Sequence, residues 1–224
     1  MAGRLVVRDV SGAAVVSVNV GTPRLIEWLG RRETTSIWKS PVHGRVRVEG
    51  VNAFGDDQAD RSVHGGPDKA LYAYAREDQE WWARELGREL EPGIFGENLT
   101  VQGVDVTGAL IGERWRIGSA LLEVSQPRIP CWKLGARMGD PDFPTRFAAA
   151  GRPGAYLRIV EAGDLAAGDA VQLEHRPGHS LTNGDVERIY HVDRARAGEL
   201  LGVSELAESW QRWTVKRLAA SGRR

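Results

Sequence analysis

The feature that most limits what this chain can become is its punctuation. Short apolar runs of four or five residues recur through the first 175 residues, and glycine stands between most of them. Glycine accounts for 27 of 224 residues, and several breaks are Gly-acid pairs: Gly112-Glu113, Gly163-Asp164 and Gly168-Asp169. Glycine reaches backbone conformations closed to other residues and weakens helix interiors, so this spacing reads as tight turns between strands. The runs predict strands over Arg4–Val7, Ala14–Val18, Thr35–Trp38, Arg45–Val48 and Ala70–Tyr74. They continue over Asn98–Val101, Arg114–Ile117, Leu121–Val124, Tyr156–Val160 and Ala170–Glu174. Sustained strand–helix alternation is missing, which argues against a doubly wound parallel sheet. A mainly β fold, barrel or sandwich, with peripheral helices is expected instead.

Two helices interrupt the strands. Glu77–Leu90 carries Trp82, Leu86 and Leu90 on one stripe, suited to capping the sheet. Pro144–Ala150 is shorter, stopped by Gly151 and Pro153. After Arg176-Pro177-Gly178 the pattern becomes helical to the end. Asn183-Gly184-Asp185 opens one helix to about His191, and Asp193 opens a second that stops at Leu201-Gly202. Ser204 is placed to N-cap a third, with Leu206, Trp210 and Trp213 on one face. Charge shifts at the same point: residues 176–224 hold 9 basic and 6 acidic side chains, in a chain whose totals are 30 and 30. The expected organisation is therefore a β domain over residues 1–177 and a small three-helix domain over 178–224.

Composition excludes several functions. A net charge of zero gives no whole-chain footprint for nucleic acid. A single cysteine forbids an intramolecular disulfide framework and any zinc site needing two thiolates. No run approaches the ~18 apolar residues of a membrane span. The N-terminus lacks a signal peptide's apolar core, so a cytoplasmic address is the default expectation.

Four stretches carry chemistry. Cys131 lies in Gln126-Pro127-Arg128-Ile129-Pro130-Cys131-Trp132-Lys133-Leu134, where two prolines stiffen the loop after a strand expected to end at Val124. Arg128 and Lys133 flank it and would favour the thiolate. A lone cysteine is also often a small buried hydrophobe. One thiolate cannot build a zinc site, but it can supply one ligand to a metal whose other ligands arrive with an organic cofactor. Lys39-Ser40-Pro41-Val42 offers an ammonium and a hydroxyl for a phosphate contact. Gly55-Asp56 through His64-Gly65-Gly66-Pro67-Asp68-Lys69-Ala70 holds four carboxylates, two cations, a histidine and paired glycines. Such a polar loop buries little and needs internal bonds or a ligand to stay ordered. In Phe95-Gly96-Glu97-Asn98-Leu99, Asn98 offers donors and an acceptor suited to a heterocycle edge. Singly, the last three also read as ordinary turns.

In this order the four stretches resemble the MOSC family (molybdenum cofactor sulfurase C-terminal domain). The likeness is greatest to the branch of bacterial hydroxylaminopurine-resistance reductases, and it spans about residues 15–220. The resemblance implies a largely antiparallel β-barrel with a groove for a pterin-based molybdenum cofactor and a C-terminal three-helix domain. It implies Cys131 as the thiolate ligand to molybdenum, also counted as catalytic. Lys39, Ser40, Arg45, His64, Gly65, Gly66 and Asn98 would line the groove for the pterin and its phosphate. The implied reaction is two-electron reduction of N-hydroxylated compounds such as hydroxylaminopurines and amidoximes, with His64 the candidate proton donor. No Rossmann fingerprint, flavin signature or cysteine cluster is present, so electrons would come from a separate protein, a flavoprotein by class.

Other readings share some of these residues. A non-catalytic carrier of the cofactor or of its sulfur uses the same groove, though no pyridoxal-phosphate sulfurase domain fits within the chain. A pyridoxal-phosphate enzyme with Lys69 as Schiff base lacks the large α/β scaffold. A nucleic-acid adaptor built on the tail is disfavoured because Trp210 and Trp213 sit at core spacing. No membrane partner is expected, and the tail's stripe is compatible with docking on the barrel or with a homodimer.

Overall fold

A computed structural model describes residues 12–58 and 65–221. The predicted strand Arg4–Val7 and the whole of His64 lie outside the described residues. The chain begins with β1 (Ala14–Val20), β2 (Arg24–Trp28), β3 (Arg31–Thr35), β4 (Ser40–Pro41), β5 (Val46–Glu49) and β6 (Asn52–Ala53). A 3-10 turn over Pro67–Lys69 leads into β7 (Leu71–Ala75), α1 (Arg76–Leu86), β8 (Leu99–Gln102), β9 (Arg114–Ile117) and β10 (Ala120–Pro127). Then come α2 (Trp132–Met138), α3 (Phe143–Ala150), β11 (Ala155–Glu161), β12 (Gly163–Leu165) and β13 (Val171–His175). The tail holds α4 (Asn183–His191), a 3-10 segment over Arg194–Leu200 and α5 (Glu208–Ser221).

Eight strands form one sheet in the order β13-β9-β10-β11-β7-β8-β1-β4. Its pairs are antiparallel except β7 with β8, which are parallel and joined through α1, the crossover a parallel pair requires. An isolated bridge, Ala14 to Ala170, links the flanks of the sheet, reinforced by Val15 N–H to the Asp169 carbonyl at 2.9 Å. The sheet thus curls towards a barrel, but the flanks meet at a bridge rather than along a continuous strand ladder. Mainly β, largely antiparallel and flanked by helices, the architecture agrees with the expectation from sequence.

Strand alternation divides the interior in two. In β7, Leu71, Ala73 and Ala75 point into the main aliphatic core, while Tyr72 and Tyr74 point into an aromatic cluster on the opposite face. Both faces are therefore covered, and β7 reads as an unbroken buried run. The aromatic cluster takes Trp82 from α1, Phe95, and Phe143 and Phe147 from α3. Trp82 and Phe147 stack with ring centroids 5.9 Å apart, and Tyr74 and Phe95 lie at 4.5 Å. The α1 stripe does cap the sheet, as expected. Gly87, at φ 62°, ends the helix early, and Leu90 reaches the cluster from beyond it.

The tail packs into the aliphatic core through Val186, Ile189, Leu200, Leu206 and Trp210. Thr182 and Asp185 form a capping box that starts α4. Trp210 faces inward and donates its indole N–H to Gln126 Oε1 at 2.8 Å.

Four expectations need correction. Thr35 ends a strand instead of starting one. The preceding β2–β3 hairpin escaped notice because both its faces are largely exposed, so no apolar alternation marks it. The strand expected to stop at Val124 runs on to Pro127, opposite Ala155. Proline is tolerated there because β10 pairs with β9 only as far as Glu123, which leaves that edge open at Pro127. Helix α2 was unforeseen, since Gly135 at its centre weakens the helical signal. Gly135 is needed for close packing: a Cβ there would lie 2.9 Å from the Asp140 carbonyl. Finally, Ser204 does not cap α5, which starts at Glu208.

Phe147→Ala should lower unfolding free energy by about 3–5 kcal/mol, read as a fall in denaturant midpoint, because the aromatic cluster cannot close over the void. Burial also pushes the Glu187 carboxyl on α4 from its ordinary 4.5 up to about 7. Between those values the folded state keeps a proton that the unfolded chain has lost, so this contribution is full at low pH and fades as pH rises towards 7. Glu187→Gln has no such dependence. Its stability relative to the parent should therefore improve from about pH 5 to about pH 8, measured by urea midpoints.

Candidate active site

Beyond Pro127, residues Arg128-Ile129-Pro130 carry the chain to Cys131. Cys131 has an extended backbone and occupies the N-cap position of α2, but its side chain makes no capping bond. The thiol is left half-buried in the wall of a cleft of about 110 Å³. The segment after β3, the polar loop around Asp56 and the ends of β7, β8, β10 and β11 form the other walls.

Arg128 borders the same cleft as the sulfur. It is buried, donates to the Phe95 carbonyl and lies 5.0 Å above the Tyr72 ring. Burial opposes its charge, but the oxygens of Tyr72 and Tyr156 and the Cys131 sulfur outweigh burial and raise its pKa. Lys133 also borders the cleft, but its ammonium is paired with Glu33 of β3 at 2.5 Å. Of the two cations expected beside Cys131, Arg128 borders the same cleft and Lys133 anchors the hairpin.

Lys39 borders the cleft from below and is almost wholly buried. Desolvation lowers its pKa, opposed by the carboxylate of Asp56, with which it pairs. Asp56 accepts the Gly21 N–H at 2.8 Å on Oδ1 and the Asn98 Nδ2 at 2.9 Å on Oδ2. Asn98 in turn accepts the Tyr72 N–H at 3.1 Å and donates to the Asn19 carbonyl at 3.2 Å. Its hydrogen bonds are thus engaged in bracing the cleft floor, a different task from the expected reading of a ring edge. Gly93 presses on the same floor: it sits at φ 85°, and a Cβ there would lie 2.7 Å from the Lys39 carbonyl. Glu97, fully buried, accepts the N–H groups of Gly93 and Phe95 at 2.6 and 3.0 Å. Burial raises its pKa against those bonds.

The other expected groove residues divide. Gly66, at φ 92°, donates its N–H to Gln58 Oε1 at 3.0 Å, and Gly65 precedes it. Gln58 also donates to the Lys69 carbonyl at 3.0 Å, so Gln58 and Gly66 together brace the turn that brings Lys69 to the cleft. Ser40 does not border the cleft; it is exposed and pairs with Val20 at the sheet's edge. Arg45 is also remote from it, held by Asp169 at 3.1 Å and the Asp164 carbonyl at 2.6 Å. In their place stand Ser36, Tyr72 and Tyr156, which sequence reasoning missed. The tyrosines interrupt aliphatic runs, and they are cross-strand partners in the β7–β11 ladder. That pairing was the available signal, and it needed the register to be read.

Among the described residues no three His, Cys, Asp or Glu side chains converge to hold a metal ion. Cys131 can give one sulfur, so a metal here must bring its remaining ligands. The walls suit an anionic, hydrogen-bonding organic group: Ser36 Oγ is buried without a partner, and Lys69 and Arg128 border the same space. Asp56→Ala would strand the Lys39 ammonium in the interior. It should cost about 3–5 kcal/mol in denaturant unfolding, with Asp56→Asn milder because it keeps a hydrogen-bond acceptor for Lys39.

Comparison with known proteins fits this geometry. A family model described as the MOSC domain matches residues 60–172. YiiM of Escherichia coli is 32% identical over 188 residues, covering 82% of this chain and 84% of YiiM. YflK of Bacillus subtilis is 34% identical over 207 residues, covering 91% and 94%. A Gibberella moniliformis protein named "Reductase" is 32% identical over 165 residues, but these cover 72% of this chain and only 29% of that protein. The crystal structure of YiiM from Geobacillus stearothermophilus superposes with a TM-score of 0.77 at 32% identity, covering 92% and 99% of the two chains. With half its length under the family model and most of it aligned to YiiM and YflK, the chain belongs to the MOSC domain family.

Proposed function

We propose that this protein is a molybdenum-cofactor-dependent reductase of N-hydroxylated compounds, hydroxylaminopurines and amidoximes among them. The observation that carries the reading is the uncapped Cys131 thiol in the wall of a cleft shared with Arg128, Lys69 and Ser36. MOSC membership and the relative named "Reductase" support it. When bound, the cofactor would supply the two-electron chemistry, with Cys131 holding its molybdenum. Lys69, Gln58 and the unpartnered Ser36 hydroxyl would hold the anionic and hydrogen-bonding parts of the pterin. The buried Arg128 would keep positive charge beside the sulfur. Tyr72 and Tyr156 form an apolar wall that limits water at the reacting N–O bond.

The reaction balances as R–NH–OH plus two electrons and two protons giving R–NH2 plus water. The N–O bond breaks and its oxygen leaves as water. The electrons would come from a separate protein donor, of flavoprotein class. Protein made in a molybdenum-replete host should contain molybdenum and pterin and reduce 6-hydroxylaminopurine with a chemical reductant. Cys131→Ala should lose at least about tenfold of both metal content and turnover, given that metal-ligand and supporting residues are worth that much. Equal molybdenum in the two proteins would refute the assignment. Loading without turnover would instead indicate a carrier of the cofactor.

A further inference from the structure

A second group of cations stands beside the cleft and takes no part in the assignments above. Arg24, at the start of β2, lies 3.9 Å from the ring centre of Trp38, and Arg137, near the end of α2, lies 5.7 Å from the same ring. Trp38 separates two cleft residues, Ile37 and Lys39. Neither arginine has a carboxylate within ion-pair distance among the described residues, whereas Arg146, Arg152, Arg158 and Arg196 each have one. Arg137 Nε is buried with no acceptor at all. Two guanidiniums gathered on one indole without a counter-charge repel each other. Burial first, then Arg24 and Arg88, hold the pKa of Arg137 down, with only Glu97 opposing among its carboxylate neighbours. Such a cluster is stabilised by an anion that accepts from several N–H groups at once, and a phosphoryl group matches guanidinium forks in both charge and geometry.

The position of the cluster says which phosphoryl group. Arg137 lies six residues after Cys131, the N-cap of α2, an axial rise of about 9 Å. It also lies four residues beyond the cleft residue Lys133, hence on the same helix face. A nucleoside spans a gap of that order between the exocyclic nitrogen of its base and its 5′-phosphate. We propose that Arg24, Trp38 and Arg137 form a phosphoryl subsite at the edge of the Cys131 cleft, and that the substrates are N-hydroxylated nucleotides in preference to bare bases. This rests on the reductase reading for the word substrate, but not for the binding itself.

The test is a titration by tryptophan fluorescence and calorimetry on the full chain without added reductant. The probes are N6-hydroxyadenosine 5′-monophosphate, N6-hydroxyadenosine and inorganic phosphate. The monophosphate should bind at least tenfold more tightly than either of the others. That preference should weaken with salt and shrink severalfold in Arg24→Gln and in Arg137→Gln. Arg24 is on an exposed hairpin, so its variant tests the site without threatening the fold. Equal binding of nucleotide and nucleoside, or an undiminished preference in both variants, would overturn the subsite. Phosphate alone binding as tightly as the nucleotide would overturn the substrate class. In loaded enzyme, Arg137→Gln should raise KM for the monophosphate more than it lowers kcat. Cys131→Ala should lose at least about tenfold of turnover while leaving nucleotide binding in place, which separates failure of the reductase reading from failure of this one.

Discussion

The cleft depends on one buried ion pair, Lys39 with Asp56. Both side chains are largely removed from solvent, at 8% and 3% exposure, and neither would be tolerated there alone. Asp56 distributes its oxygens to three donors, and through them it joins the loop after β6, the turn after β1 and the entry to β8. Asn98 extends the same network to the backbone of β7. The walls that face Cys131 are therefore fixed by polar bonds where the two hydrophobic clusters do not reach. A buried network in which each charge is answered favours one arrangement over its alternatives, because any other leaves a charge unpaired.

Electrostatics are arranged in layers around this floor. Burial opposes the charges of Glu97 and Lys39, Arg128 is held charged beside the sulfur, and Lys133 is cancelled by Glu33. The cleft thus presents a limited number of uncancelled cations, and those near Cys131 are set by burial and stacking more than by flexible surface side chains. This suits a site that receives an anionic group in a defined orientation.

Much of the fold was legible because strands with glycine turns have a local signature. Most strand segments among the described residues fall within a residue or two of their expected places, and the tail's tryptophans pack as their spacing indicated. Features without a local signature were missed. The β2–β3 hairpin has no buried face to produce alternation, and α2 contains a glycine demanded by a neighbour distant in space. In the site, Cys131, Lys39 and Asn98 come to one cleft as their motifs implied, whereas Ser40 and Arg45 turn elsewhere because edge pairing and Asp169 claim them. A motif fixes where the backbone goes, but where each side chain points depends on partners that the motif does not contain. Asn98 illustrates this: its chemistry was read correctly, and its bonding partners were protein groups instead of a ligand.

The parts of the cleft come from loops and strand termini, while the interiors of the same strands are given over to aliphatic and aromatic packing. Scaffold and chemistry are consequently carried by different positions of each strand. Replacing a cleft residue outside the Lys39–Asp56–Asn98 network changes what the pocket accepts with little penalty to folding, and replacing one in the middle of a strand does the reverse. A lineage built on this sheet can diversify its ligands without first having to rebuild its framework.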